Sequence, residues 1–257
     1  MANKVALVTG GGRGIGRAIV LQLAQDGFDM VINSRQQTSV NAVVEEVKKM
    51  GKEVLGIPAD VSKSDQVKEM FAQIDQEFGR LDVLVTNAGV TQVNTVDELT
   101  EEHWDRTLDI NAKGTFLCIL EASRRMIKQK SGRIIAIGSA FSVEAGKYHV
   151  CYSASKFAVR GMTQAYAYEL GPHGITVNCI APGVIWTDMW KEADAKLSTV
   201  FGMQPGEAFD KFTKENVMLP ESGKPEHIAP VVSFLASEGG GYVTAATVAV
   251  GGGIPIF

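Results

Sequence analysis

Apolar and polar positions fall into two alternating rhythms along this 257-residue chain. Short runs of branched apolar residues recur at Val5–Val8, Met30–Ile32, Val54–Ile57, Val83–Val85, Ile134–Ile137, Thr176–Ile180 and Thr247–Val250. Each has the length and composition of a strand buried on both faces. Longer stretches with interleaved charges lie between them: Gly16–Gln25, Val40–Lys49, Ser64–Phe78, Thr100–Lys128, Ser153–Leu170 and Pro225–Ala236. Helices alternating with strands predict a parallel sheet covered on both faces. Right-handed crossovers then give a doubly wound α/β fold of Rossmann type, with ligands bound beyond the carboxyl ends of the strands. Residues 186–223 break the rhythm with Trp, Met, Phe and charges in no strand pattern, and are expected to form a small substrate lid. No repeat, low-complexity tract or linker divides the chain, so residues 1–257 read as one domain.

A hydrophobic fraction of 45% against 21% charged residues fits a chain that buries a full core, and excludes a disordered or fibrous one. The net charge of −4 comes from 25 basic and 29 acidic residues mixed along the chain, leaving no basic stripe for nucleic acid. Cys118, Cys151 and Cys179 form no CxxC pair and suit reduced thiols. The first apolar run is stopped at once by glycines, unlike a signal peptide, and no stretch reaches the roughly 18 apolar residues of a membrane span. A cytoplasmic protein with neither a membrane nor a nucleic-acid partner is expected.

The chemistry begins after the first strand. Thr9-Gly10-Gly11-Gly12-Arg13-Gly14-Ile15-Gly16 opens a helix, and such a loop either makes a glycine-rich turn or holds a pyrophosphate on free backbone N–H groups. Its place between strand and helix favours a dinucleotide. NAD-binding versions of this fold end the second strand in an acid that grips the ribose. Here the strand ends Asn33-Ser34-Arg35, and Arg35 with Arg13 can meet a 2′-phosphate, or either can be a solvated surface group. NADP is therefore expected, with NAD the weaker alternative. Asp60, followed by Val61, is placed either to accept from the adenine amino group or to cap the helix near Ser64.

Tyr152 and Lys156 stand four apart, on one face of a helix. A nearby ammonium favours phenolate, which would suit the tyrosine to proton transfer, although a helical Tyr/Lys pair is also common packing. Ser139 ends the fifth strand on the edge that carries the glycine loop. Asn111 lies inside a predicted helix, where a structural role is the plain reading.

Taken together, Thr9–Gly16, Asn87-Ala88-Gly89, Asn111, Ser139 and the Tyr152–Lys156 pair make the chain resemble the short-chain dehydrogenase/reductases over almost its whole length. The resemblance implies that Tyr152 is the general acid/base and that Ser139 orients the reacting oxygen. It implies that Lys156 lowers the tyrosine pKa and binds the nicotinamide ribose, and that Asn111 maintains a proton relay. It also places Asn87, Ala88 and Gly89 beside the adenosine side of the cofactor, and Pro182, Gly183, Val184 and Thr187 near the nicotinamide. A homo-oligomer, tetramer or dimer, is expected by the same likeness. Departures are Thr86, where relatives commonly have asparagine, and Thr244-Ala245-Ala246 and Gly251-Gly252-Gly253 in a segment relatives use for subunit packing.

In finer pattern the chain is most similar to acetoin, diacetyl and butanediol reductases, through residues 152–164, Met189-Trp190 and Pro205-Gly206-Glu207-Ala208-Phe209. This implies reversible reduction of a small ketone or diketone to a secondary alcohol. Sugar or polyol dehydrogenases and 3-oxoacyl reductases share the machinery, and a non-catalytic NADP-binding sensor is the alternative outside enzymes. The acidic balance disfavours an acidic carrier protein as partner. His103, His149, His173 and His227 have no metal-ligand spacing, so no catalytic metal is expected. His149 is placed to line the substrate pocket or to sit at the helix start. Trp186, Trp190, Phe201, Met203 and Phe209 form a substrate cover or simple packing.

Overall fold

The computed structural model describes residues 3–254, so positions 1, 2 and 255–257 of the expected 1–257 span lie outside the described residues. Its strands are β1 (Val5–Val8), β2 (Asp29–Ser34), β3 (Val54–Pro58), β4 (Val83–Thr86), β5 (Gly132–Ile137), β6 (Ile175–Pro182) and β7 (Thr247–Val250). They form one sheet in the order β3-β2-β1-β4-β5-β6-β7, parallel at every pairing. The helices are α1 (Gly14–Gln25), α2 (Gln37–Lys49), α3 (Ser64–Phe78), α4 (Glu101–Leu108), α5 (Gly114–Gln129), α6 (Val150–Leu170), α7 (Asp188–Phe201), α8 (Glu207–Asn216) and α9 (Pro225–Ala236).

The two-residue side-chain period of a strand divides the core between the faces of the sheet. Ala6 and Val8 of β1 and Val83 and Val85 of β4 pack with α1, α2 and α9. Val5, Leu7 and Leu84 pack on the opposite face with α3, α5 and the end of α6. All are within 1% of complete burial, which is why these strands read as unbroken apolar runs. Strand order reverses between β1 and β4, opening a crevice at their carboxyl ends.

Several element ends shift by a few residues from expectation, and two of the changes lie beside that crevice. The helix expected over 100–128 is interrupted by a π-helical turn at Asp109–Lys113, between α4 and α5. The wider turn tips Asn111 inward, with its side-chain amide bonded to the loop after β4. Helix α6 begins at Val150 rather than Ser153, because the Ser153 N–H donates to the His149 carbonyl at 2.8 Å. Tyr152 thereby stands in the first turn of α6.

Residues 186–223 contain α7 and α8 and no strand, as the sequence pattern predicts. The base of this segment is pinched shut: the Trp186 N–H donates to the Gly223 carbonyl at 3.0 Å, and the Gly223 N–H to Val184 at 2.8 Å. Buried Asp194 joins its two helices by accepting from the Gly206 and Phe209 N–H groups at 2.6 and 2.8 Å. Among the described residues no helix is long and apolar enough to cross a membrane.

The unusual Thr244-Ala245-Ala246 stretch is stitched to β6: the Val177 N–H donates to the Thr244 hydroxyl at 3.1 Å, and the Ala246 N–H to the Asn178 side chain at 3.1 Å. Ala245 between them is held at φ +59°, in the left-handed region that penalises a Cβ. Replacing it with glycine removes that penalty but loosens the unfolded chain. Ala245→Gly is therefore expected to stabilise the protein by up to about 1 kcal/mol, read as a higher urea midpoint at unchanged slope.

Candidate active site

The glycine loop is clamped between β1 and β4 by hydrogen bonds the sequence alone does not show. The Thr9 hydroxyl accepts from the Asn87 and Ala88 N–H groups at 3.0 and 3.1 Å. The Asn87 amide donates to the Thr9 and Gly10 carbonyls at 3.0 and 3.1 Å. This draws the two strand ends so close that a Cβ on Gly10, at φ +64°, would lie 2.8 Å from the Asn87 amide. A Cβ on Gly16 would run into the Gly10 carbonyl. The loop therefore wraps the first turn of α1 with backbone alone, the form a pyrophosphate requires. Gly12 has a different place: it packs against the Ser39 side chain at the start of α2 and lines no part of the cleft.

A cleft of about 180 Å³ continues from this loop. It is lined by Gly10, Arg13, Gly14, Ile15, Gly16, Ser34, Arg35, Asp60, Val61, Asn87, Ala88, Gly89 and Thr187, all anticipated as cofactor-binding from the sequence, by Met189, anticipated as part of the lid, and by Asn33, Ala59, Val90, Ile110 and Asp188, which were not anticipated there. Asn33 carried a signal in its position beside Ser34. Its amide donates to the Ile57 and Ala59 carbonyls at 3.1 Å each, tying β2 to β3. Burial pushes the Asp60 carboxyl up, but hydrogen bonds from Ser62 and the charges of Arg35 and Lys63 outweigh it and hold Asp60 below the usual carboxylate range. Its Oδ1 accepts from the Ser62 N–H and hydroxyl, so it closes the turn before α3 rather than capping the helix directly. Arg13 is paired with Asp188 at 3.7 Å, both side chains exposed. Backbone loop, cleft and two cations with no acid at the end of β2 fit a phosphorylated dinucleotide.

The cleft joins a smaller cavity of about 120 Å³ at Ser139, Tyr152 and Lys156. Pro182, Gly183, Val184 and Thr187 line one wall. Phe141, His149, Met189, Trp190, Phe212 and Ile254 form much of the other, and of these Phe141, Phe212 and Ile254 had no sequence signal. Lys156 is buried, donates to the Ile137 carbonyl at 2.8 Å, and has its Nζ 5.6 Å from the centre of the Tyr152 ring. Asn111 accepts from the Val90 N–H at 2.8 Å and donates to the Val90 carbonyl at 2.9 Å and the Ser155 hydroxyl at 3.0 Å. Four side chains from the π turn, the end of β5 and α6 thus converge. The phenol pKa departs from expectation in direction: burial pushes Tyr152 up and outweighs the hydrogen bond with Ser139, which pulls the other way.

Among the lid aromatics, packing and lining coexist. Trp186 and Trp190 pack on Phe209 with ring centres 4.4 and 5.3 Å apart, and Met203 packs against a small cluster with Val93 and Leu197. Trp190 also faces the catalytic cavity, whereas Phe201 is half-exposed and lines a second, outer pocket.

The short chain dehydrogenase family profile matches residues 4–198. A 3-oxoacyl-[acyl-carrier-protein] reductase of Staphylococcus epidermidis is 40% identical over 253 residues, covering 98% of this chain and 99% of the relative. An actinorhodin polyketide ketoreductase solved with NADPH superposes with a TM-score of 0.95 at 31% identity, covering 99% and 98% of the two chains. Levodione reductase does so at 0.91 and 32%, covering 97% and 96%. The chain belongs to the short-chain dehydrogenase/reductase family, NAD(P)-dependent oxidoreductases that act on CH–OH and C=O groups.

Burial of Lys156 costs stability. Folding lowers its pKa from the ordinary 10.5 to about 8, chiefly by desolvation. Between those pH values the unfolded chain holds a proton that the native protein does not, so the Lys156 contribution makes stability rise with pH across that window. Below about 8 the native state bears the full cost of a buried ammonium. Lys156→Met is accordingly expected to raise the urea midpoint at pH 7 while abolishing turnover, with the stability gain shrinking toward pH 10.

Proposed function

We propose that this oxidoreductase uses NADPH to reduce a small ketone or diketone, of the acetoin or diacetyl type, reversibly to the secondary alcohol. The observation that carries the reading is the 120 Å³ cavity, where the Ser139 and Tyr152 hydroxyls stand among Phe141, Met189, Trp190 and Phe212. Apolar walls of this kind suit a short carbon chain and give a hydroxyl-rich ketose few partners. Convergence of Asn111, Ser139, Tyr152 and Lys156 in a member of this family supports an enzyme over a sensor.

Ser139 holds the carbonyl oxygen and Tyr152 delivers the proton to it. Burial keeps the phenol protonated through neutral pH, the state a proton donor needs. Lys156 orients the ribose and supplies positive charge as the phenolate forms, and Asn111 anchors the relay through Ser155 and the Val90 backbone. When bound, the nicotinamide supplies the hydride. Preference for NADPH is supported by Arg13 and Arg35 in a cleft where β2 ends without an acid, and by the NADPH-bound neighbour. The segment at 186–223 serves as the lid.

A second reading, a 3-oxoacyl reductase, is favoured by the outer pocket of about 320 Å³ beyond Phe141 and Trp190, with Lys147 and Lys211 among its lining, and by the name of the staphylococcal relative. Exposed Phe116 on α5 and Val150, Phe157 and Tyr168 on α6 support self-association through these helices. Three buried free thiols support residence in the cytoplasm.

Following NADPH and NADH oxidation against diacetyl, acetoin, a ketose and a β-keto ester tests the reading. NADPH with the small ketones is expected to be fastest, while a faster β-keto ester would favour the second reading. Tyr152→Phe is expected to lower kcat/KM by about 10²–10⁴-fold with NADPH binding retained. Arg35→Ala is expected to raise the KM for NADPH by about 10–100-fold, as loss of a charge-assisted phosphate contact implies, and to leave that for NADH unchanged.

A further inference from the structure

His149 is buried at the junction of the inner cavity and the outer pocket, and lines both. Its ring is fixed on three sides. Nδ1 lies 2.8 Å from the Lys147 carbonyl oxygen, and the ring packs on Phe141 and Tyr152 with centres 5.1 and 6.2 Å apart. Tyr148 before it is held at φ +65°, receives a hydrogen bond from the Asn94 N–H on its carbonyl at 3.0 Å, and stacks on Phe201 of α7. A costly backbone conformation is thus maintained where the chain turns to aim this ring.

The partner of Nδ1 decides the chemistry of the other nitrogen. A carbonyl oxygen only accepts, so Nδ1 carries the hydrogen and Nε2 of the neutral ring is a bare acceptor. Burial holds the His149 pKa below its ordinary value, keeping the ring neutral near pH 7. Among the described residues nothing hydrogen-bonds Nε2, nor is it a sealed buried atom. An unpartnered acceptor on a residue that lines the inner cavity, alongside the apolar Phe141, Met189, Trp190 and Phe212, is satisfied by a substrate that brings a donor.

We infer that His149 is a specificity-determining residue that accepts a hydrogen bond from a substrate hydroxyl beside the reacting carbonyl, selecting α-hydroxyketones over ketones of the same shape that lack a donor. The inference rests on the small-ketone reading above and names the preferred member of that class. A diketone has only a second acceptor to offer and gains nothing from Nε2. In the reverse direction the same contact favours a vicinal diol over a simple secondary alcohol.

The test compares acetoin, its methyl ether and 2-butanone as substrates, with NADPH, for the native enzyme, His149→Phe and His149→Gln. The native enzyme is expected to favour acetoin over the ether by about tenfold or more in kcat/KM, as one buried hydrogen bond implies. His149→Phe, which keeps an aromatic ring, is expected to lower acetoin toward the ether, mainly through KM, and to lower acetoin far more than 2-butanone. His149→Gln, which restores an acceptor, is expected to recover part of the preference, and it also serves should the phenylalanine variant misfold. Equal native rates for acetoin and ether, or an equal loss on all three substrates in both variants, would overturn the inference while leaving small-ketone reduction in place. No turnover of any of the three, alongside turnover of a β-keto ester, would instead remove the small-ketone reading itself.

Discussion

A buried ammonium, which costs stability, stands at the heart of this protein, and the site is organised around holding it. Lys156 spends one hydrogen on the Ile137 carbonyl, where β5 ends and the ladder no longer needs that oxygen. Gly89 lets the loop after β4 come close to Asn111: a Cβ there would stand a tight 3.2 Å from the Asn111 oxygen and 3.7 Å from the ammonium. Asn111 is then placed by the π turn and by both backbone groups of Val90. Remove any one and the others lose their reason for being where they are. The stability that burial of Lys156 costs is consistent with a group retained for its chemistry rather than for the fold.

Around that centre, the sheet edge brings sequence-distant polar groups into register. Thr9 and Asn87 close β1 and β4 together at the point where strand order reverses, so the glycine loop and the loop carrying Gly89 form one surface. Four strand ends then deliver distinct services. Those of β1 and β4 shape the phosphate loop, β2 presents Ser34 and Arg35, and β5 presents Ser139. A parallel sheet makes this possible because all of these ends point the same way.

What the sequence reveals of this arrangement follows from the range of each interaction. Strand runs such as Val5–Val8 are legible because burial on both faces demands apolar residues at every position. The Tyr152–Lys156 spacing is legible because a helix face is a local property. Asn111 is harder to read: inside a predicted helix it looks structural, and only the π turn, set by contacts to Val90 and to Ser155 more than 40 residues away, shows what its amide does. Gly12 reads as part of the phosphate loop because its neighbours are, yet contact with Ser39 of α2 takes it out of the cleft. Phe141 and Phe212 left no trace, since an aromatic in a loop or a short helix has no pattern that separates a pocket wall from packing.

Substrate choice and chemistry are physically separable here. The proposed catalytic groups are fixed by the sheet and α6, whereas much of the apolar wall opposite them comes from residues 186–223. That segment is internally braced: Asp194 caps α8, Trp190 packs on Phe209 and Phe212, and the Ile185–Gly223 bridge closes its base. The wall can therefore change shape through substitutions within the lid without disturbing Lys156 or its supports. Substrate choice is therefore to be read from the wall rather than from the fold, and in the proposal above His149 is the wall residue that sets it.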